Sequence, residues 1–151
     1  MPNPRPPVRP SVPAAPARVV RDVMTTDVVT IDPDAPLTQA IEMLADSHVS
    51  GIAVIDNRRR LLGVISTTDV VAAEAEAGDE EARSRLLSTG TVRDAMTTKA
   101  LTVTPDLELR EAALQMDYGD VHRLFVESDG ELVGVISRSD INRAFAAGKL
   151  G

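Results

Sequence analysis

Along this chain a short apolar run is followed by an amphipathic stretch, two further apolar runs and a second amphipathic stretch, and the whole series occurs twice. In the first round, residues 28–31 read as a short strand. Asp34, with Pro36 in the first turn, then opens a helix in which Leu37, Ala40, Ile41 and Leu44 fall at i, i+3, i+4 and i+7. That stripe is one buried face, and it ends near residues 46–47. Residues 52–56 and 61–66 follow as two strands joined by a turn at 57–60, an antiparallel hairpin, and residues 67–76 make a closing helix.

The second round is laid out alike. Strand 101–103 leads to helix 109–118, with Ala112, Ala113 and Met116 inward, then to strands 124–127 and 131–137 and a helix over 138–147. Its hairpin turns at Asp129-Gly130, a strong two-residue turn signal. Residues 19–24 read as a short helical turn packing as the lead-in to the first half. The stretch between the rounds is acidic and Ala-rich and reads as a solvated helical connector ending at Gly90, with a partner-binding helix as the alternative. Residues 1–18 are Pro-rich with little bulky apolar content, the composition of a disordered or polyproline-like tail. The organisation expected is therefore a tail over 1–18, a first unit over 19–76, a linker over 77–90, a second unit over 91–147 and a short tail over 148–151.

The two rounds share residues as well as pattern. Gly63-Val64-Ile65-Ser66-Thr67-Thr68-Asp69 returns as Gly134-Val135-Ile136-Ser137-Arg138-Ser139-Asp140, and Val20-Arg21-Asp22-Val23-Met24-Thr25-Thr26 returns as Val92-Arg93-Asp94-Ala95-Met96-Thr97-Thr98. The offset slips by one residue between these pairs, and the slip is placed in the 57–60 turn. Self-similarity at this period marks repeated supersecondary units. Each half is a β-α-β-β-α unit too small to bury much surface alone, so the fold class is α+β, two pseudo-twofold-related units packed sheet to sheet. Joints between such units are where small molecules sit.

Composition narrows the function. A formal charge of −7 argues against nucleic-acid binding, which depends on clustered Lys and Arg, and the only aromatics are Tyr118, Phe125 and Phe145, too few for a base-stacking platform. No apolar run is long enough to cross a bilayer, and no signal segment is evident at the start, so a cytoplasmic location is expected. With no Cys there are no disulfides, thiolate nucleophiles or thiolate metal sites, and two His without ligand spacing exclude a metal role for His122. No nucleophile-base pair and no phosphate-binding glycine loop is present, so no enzyme activity is expected.

Two features carry chemistry. Each repeat has Ser-x-x-Asp directly after an apolar strand, Ser66 to Asp69 and Ser137 to Asp140. This spacing fits a helix capping box. It also offers hydroxyls and helix N-terminal N–H groups as an anion cradle, and the two roles are compatible. The second feature is an asymmetry: His122 and Arg123 in the second repeat stand where the first has Ser50 and Gly51, so only the second half brings cationic groups.

Taken together, Val-Arg-Asp-x-Met-Thr-Thr, apolar-x-Thr-apolar, an amphipathic helix, a middle strand and Gly-Val-Ile-Ser-x-x-Asp, in that order and twice over, resemble the CBS motif, named after cystathionine β-synthase. Two such motifs form a Bateman module, and the resemblance implies a stand-alone regulatory unit. No cofactor would be required. An adenosine-containing ligand, AMP, ADP, ATP, NAD or S-adenosylmethionine, would bind in clefts between the motifs and shift their relative disposition. The resemblance further implies that Asp69 and Asp140 hold the ribose, that Ser66, Thr68, Ser137 and Ser139 assist at ribose or phosphate, and that His122 and Arg123 face the phosphates. Each site would draw on both halves: Asp140, Ser137 and Ser139 with Val29, Thr30, Ser50 and Gly51, and Asp69, Ser66 and Thr68 with Leu101, Thr102 and His122. The adenine slot would use Met24, Val28 and Val29, or Met96, Ala100 and Leu101, residues equally well explained as core. Of the two, the Asp140 site has the more complete polar ring.

Two departures stand against this. Ala53 and Phe125 occupy middle-strand positions where many family members have Pro, and Phe125 is bulky enough to fill a cleft. Homodimerisation through helix faces and signalling to a separate regulated protein complete the expectation. The alternative is a ligand-free dimerisation or protein-interaction module.

Overall fold

The computed structural model of the chain describes residues 17–47, 49, 51–98 and 100–148. A single 3-10 turn, Val20–Asp22, precedes β1 (Thr30–Ile31), α1 (Leu37–Ser47), β2 (Gly51–Ile55), β3 (Leu61–Ser66) and α2 (Thr67–Ala77). Two connecting helices follow, α3 (Glu80–Thr89) and α4 (Val92–Ala95). The second round is β4 (Thr102–Val103), α5 (Leu109–Gly119), β5 (Arg123–Ser128), β6 (Glu131–Ser137) and α6 (Arg138–Gly148).

Each half builds a three-stranded sheet, in the orders β1-β2-β3 and β4-β5-β6. β1 runs parallel to β2, with Thr30 beside Ala53, and β2 runs antiparallel to β3, with Gly51 opposite Ser66. The second sheet repeats this, with Thr102 beside Phe125 and Arg123 opposite Ser137. The middle strands are buried on both faces, so their burial is continuous where a half-exposed strand would alternate. In β2, Ile52 and Val54 face the helices while Ala53 faces the other sheet. In β5, Leu124 and Val126 face the helices, and Phe125 turns to the other sheet, clustering with Ala53 of that sheet and with Leu132 of its own. That small cluster joins the halves sheet to sheet.

The helical stripes lie as their spacing dictates. Leu37, Ala40 and Leu44 of α1 are buried with Ile41 packed beside them, and Leu109, Ala112 and Met116 of α5 are buried likewise. α1 begins at Leu37, later than the sequence suggests: Asp34 sits in an Asx turn on Asp32, and the Leu37 amide donates to the Gly90 carbonyl at 2.9 Å. A tertiary acceptor thus takes the role a local cap was expected to play. The second hairpin turns at Asp129 and Gly130, both with positive φ, and leaves only those two residues between its last paired positions, Ser128 and Glu131, where the first leaves residues 56–60 between Ile55 and Leu61. In that longer turn Asp56 accepts from the Arg58 and Arg60 amides at 2.8 and 2.9 Å, and Arg59 takes a φ of 65°. The connector folds back as α3, capped by Asp79 at the Ala82 amide, with Leu86 against the first core and no fully buried residue.

One expectation is corrected. The turn at Val20–Asp22 does not pack on the first half: fully buried Val20 joins the second core, with Val103, Leu109 and Met116. Its amide donates to the Leu107 carbonyl, the Arg21 amide to that of Pro105, and the Leu109 amide to that of Arg18, each at 2.9 Å. Val92 does the converse, entering the first core while its amide donates to Ala35 and that of Arg93 to Pro33. Each lead-in therefore completes the opposite half. From there the chain passes along the joint, pairing Thr25 with Val135 and Thr97 with Val64. The crossing is so close that a Cβ on Gly63 would lie 2.4 Å from the Thr97 carbonyl oxygen, and one on Gly134 would lie 2.9 Å from that of Thr25. Hydrophobic pattern alone cannot assign a lead-in to one of two cores that present the same pattern, which is why the exchange is invisible in the sequence.

Candidate functional site

Strands β3 and β6 each stop at a Ser because a helix starts there, and the helix start fixes the Asp three residues on. Ser66 Oγ accepts from the Asp69 amide at 3.2 Å, while Asp69 Oδ2 accepts from the Ser66 amide at 2.8 Å and from its hydroxyl at 3.0 Å. Ser137 and Asp140 repeat the reciprocal pair at 3.1 and 2.9 Å. Both are capping boxes. Their outward carboxylate oxygens differ: Asp69 Oδ1 accepts from the Thr97 hydroxyl of the other repeat at 2.7 Å, and Asp140 Oδ1 pairs with Arg143 of its own helix at 2.7 Å.

Two clefts open at these helix starts, on either side of the inter-sheet cluster. The Asp69 cleft, about 280 Å³, is lined by Ser66, Val64 and Gly51 from one repeat and Thr97, Ala100, Leu101, Val121, Arg123 and Phe125 from the other. The Asp140 cleft, about 290 Å³, is lined by Ser137, Val135, Arg123 and Phe125 with Thr25, Asp27, Val28, Val29, Val49 and Gly51. Each is a mainly aliphatic slot with a few convergent polar groups, near the lower end of the roughly 300–1,000 Å³ range of small-molecule pockets. Each also draws on both repeats. Phe125, 4% exposed, forms a wall between them and fills neither.

Of the residues singled out by sequence, Asp69, Ser66 and Leu101 come together in one cleft and Asp140, Ser137 and Val29 in the other, with Gly51 and Arg123 common to both. Val28 and Ala100, proposed as adenine walls, are in the linings as well. Thr68 and Ser139 are exposed on the first turns of α2 and α6, and Thr30 and Thr102 lie in β1 and β4; none is among the described lining residues. His122 is exposed, and its carbonyl accepts from the Arg138 amide at 2.8 Å. Met24 and Met96 pack against the cores of the opposite halves. Ser50 lies outside the described residues.

The lining residues that sequence reasoning missed are mostly those of the crossing segments, Thr25, Asp27 and Thr97, together with Val64 and Val135. A signal existed: the repeated Met-Thr-Thr and Gly-Val motifs are the two sides of the same close contact. Arg123 is half-buried, and its Nη1 donates to the Gly51 carbonyl at 3.3 Å. Loss of water around the guanidinium pushes its pKa below the ordinary arginine value. Among the described residues no cluster of His, Cys, Asp or Glu could hold a metal ion, and no helix is long and apolar enough to cross a membrane.

Comparison with known proteins places this geometry. The sequence matches the family described as CBS domain over residues 20–76 and again over 92–147. It is 32% identical over 121 residues to inosine-5′-monophosphate dehydrogenase of Methanocaldococcus jannaschii, a match covering 80% of this chain and 22% of that enzyme, so only part of the enzyme is represented. It is 29% identical over 148 residues to the CBS domain-containing protein CBSX2, chloroplastic, of Arabidopsis thaliana, a match covering 83% of this chain and 62% of that protein. A crystal structure of CBSX2 in complex with AMP superposes with a TM-score of 0.74 at 30% identity, covering 88% of this chain and 99% of that one. The CBS domain pair of MJ0100, in complex with 5′-methylthioadenosine and S-adenosyl-L-methionine, shares the fold at a TM-score of 0.68 and 21% identity over 84% of this chain and 98% of that one. With two matched motifs packed as a pseudo-twofold pair, the chain belongs to the CBS domain family.

Proposed function

We propose that this chain is a regulatory module that binds an adenosine-type ligand in the clefts at Asp69 and Asp140 and signals to a separate partner through a change in the disposition of its halves. The observation that carries this reading is the likeness to CBSX2 with AMP bound, at 30% identity over nearly the whole of that chain. The clefts support it: each sets a capped carboxylate, suited to a ribose diol, against aliphatic walls and a guanidinium suited to phosphate. Ser66, Ser137, Val29, Gly51 and Leu101 would contact the ligand, while Thr68, Ser139, Thr30, Thr102 and His122 would contribute only if a ligand reaches beyond the linings. The ligand must bind one arrangement of the halves better than another, since equal affinity would signal nothing. AMP is the favoured ligand, with ADP, ATP, NAD and S-adenosylmethionine as the panel to set against it. Cytoplasmic location, homodimerisation and the absence of catalysis belong to the same reading.

A second reading, an interaction module whose clefts stay empty, is favoured by one observation. The outward oxygens of Asp69 and Asp140 already accept from Thr97 and Arg143, so a ribose would have to displace an internal partner. Thermal unfolding with the nucleotide panel separates the two. A ligand at about 100 times its dissociation constant should add roughly 2.7 kcal/mol. A selective upward shift lost in Asp140→Ala and Asp69→Ala supports the sensor, whereas a protein indifferent to the whole panel is an interaction module.

A further inference from the structure

The two clefts are built on matched anchors. Thr97 exchanges backbone hydrogen bonds with Val64 at 2.8 and 2.9 Å, and Thr25 does so with Val135 at 2.9 Å each way. Asp69 and Asp140 are fixed alike by their capping boxes. Each Thr lines the same cleft as its Asp, so backbone and cap set up two equivalent threonine–carboxylate pairs. Only one of them is joined. Thr97 donates to Asp69 Oδ1 at 2.7 Å, whereas among the described residues Thr25 makes no side-chain hydrogen bond and Asp140 Oδ1 accepts from Arg143. The residue three positions past the Asp makes the difference: Arg143 follows Asp140, and Ala72, which has nothing to donate, follows Asp69. The two partners also differ in approach. Thr97 belongs to the lining and reaches Asp69 from within its cleft. Arg143 lies outside the described lining with its side chain 73% exposed, and an ion pair of that kind is worth little.

We propose that Thr97 stands in for a ribose hydroxyl at Asp69 and holds that cleft against its ligand, while Thr25, kept off Asp140 by Arg143, is a ligand contact in the other cleft. The proposal rests on the reading of the clefts as adenosine-type sites and adds which residues set their affinities. A ribose entering at Asp69 exchanges one alcohol for another at the same carboxylate oxygen, so that contact adds little net affinity. At Asp140 it loosens a solvated ion pair and meets a threonine hydroxyl with both a donor and an acceptor to spare. Two threonines at the same place in the repeat therefore act on binding in opposite directions.

Titration of the full chain with adenosine, followed by methyl NMR, tests this, with Leu101 reporting the Asp69 cleft and Val29 the Asp140 cleft. Adenosine carries no phosphate, so the comparison makes no demand on Arg123. Thr97→Val, which keeps the shape and removes the competing hydroxyl, should tighten the binding read at Leu101 by roughly fivefold, the weight of one hydrogen bond. Thr25→Val should weaken the binding read at Val29 by a similar factor. Arg143→Ala should weaken it too, because the Thr25 hydroxyl then turns to Asp140, and should have no such effect once Thr25 is valine. Affinity at Leu101 that is unchanged or lower in Thr97→Val, or affinity at Val29 that is unchanged or higher in Thr25→Val, overturns the proposal. In the free wild-type protein, vicinal couplings should show Thr97 held in the one χ1 rotamer that reaches Asp69. Rotamer averaging there overturns the proposal, and that measurement stands even if a variant does not fold. Adenosine that binds neither cleft in any of these proteins removes the adenosine-site reading and the proposal with it. That outcome is told apart from failure of the proposal alone, in which adenosine binds the wild type and the two threonine variants do not diverge.

Discussion

At Asp69 one carboxylate oxygen receives the Ser66 amide and hydroxyl while the other receives the Thr97 hydroxyl, so a single side chain caps a helix and ties the two repeats together. Ser66→Ala should cost about 1 kcal/mol as a lost cap and lower the melting temperature by roughly 2–4 °C in a chain of this size. Thr97→Val should cost less, and the double variant should be non-additive because both act on one carboxylate. Two other carboxylates make stability depend on acid. The Arg60 amide, then that of Arg58, and the Arg60 side chain hold Asp56 below its ordinary 3.8, and the Arg18 and Val19 amides do the same for Asp22. A pKa that is lower folded than unfolded means the unfolded chain binds more protons in this range. The contribution is complete above the ordinary value and lost as pH falls through the folded one. Protection of the Arg58 and Arg60 amides, measured against the intrinsic exchange rate at each pH, should therefore fall below about pH 4, and Asp56→Asn should abolish that acid step. Sequence spacing pointed to the Ser-Asp pairs directly, since a cap is a local device. It did not point to Thr97, because that hydroxyl arrives from the other repeat.

Among the elements, the repeated Gly-Val-Ile-Ser strands show how a local motif answers a distant demand. The glycine is there because a crossing segment pairs beside it: Thr97 against β3 and Thr25 against β6. Gly63→Ala would drive a Cβ to 2.4 Å from a backbone oxygen, and should destabilise by roughly 1–3 kcal/mol, the usual cost of overpacking. Gly134→Ala should cost less, since the nearest atom to its Cβ is the Met24 sulfur at 2.8 Å, on a flexible side chain, with the Thr25 oxygen at 2.9 Å. Unfolding of the two variants would check the order. Strands and helices themselves were legible to within a residue or two, because periods of 2 and 3.6 are written by burial. The start of α1 was not, because its first-turn amide is satisfied by Gly90, far along the chain.

For the molecule as a whole, the exchanged lead-ins make neither repeat a complete body. Val20 closes the second core and Val92 the first, so unfolding should be one cooperative transition. Val20→Ala and Val92→Ala should each lower stability by about 2 kcal/mol, and calorimetry should show the whole transition moving down without splitting in two. Ligand affinity at the clefts should fall in both variants, because the segments that carry Thr25 and Thr97 leave those valines directly for the joint. Charge acts at this scale too: Asp27→Asn removes a carboxylate from the Asp140 cleft and should strengthen AMP binding there several-fold, more at low salt than at high.

By itself the sequence determined the repeat, the β-α-β-β-α order within it, the helix-facing stripes, the capped Asp at each helix start and the family. All of these are recorded by short-range spacing or by likeness between the two copies. Only the tertiary structure decided which core each lead-in completes, which hydroxyls and carboxylates line the clefts, and that Arg123 belongs to both. Those facts depend on how two nearly identical surfaces meet, and a pseudo-twofold pair offers the same pattern on both sides. The choice between them is made by packing and backbone hydrogen bonds across the joint, between residues too far apart in the chain for any local period to register.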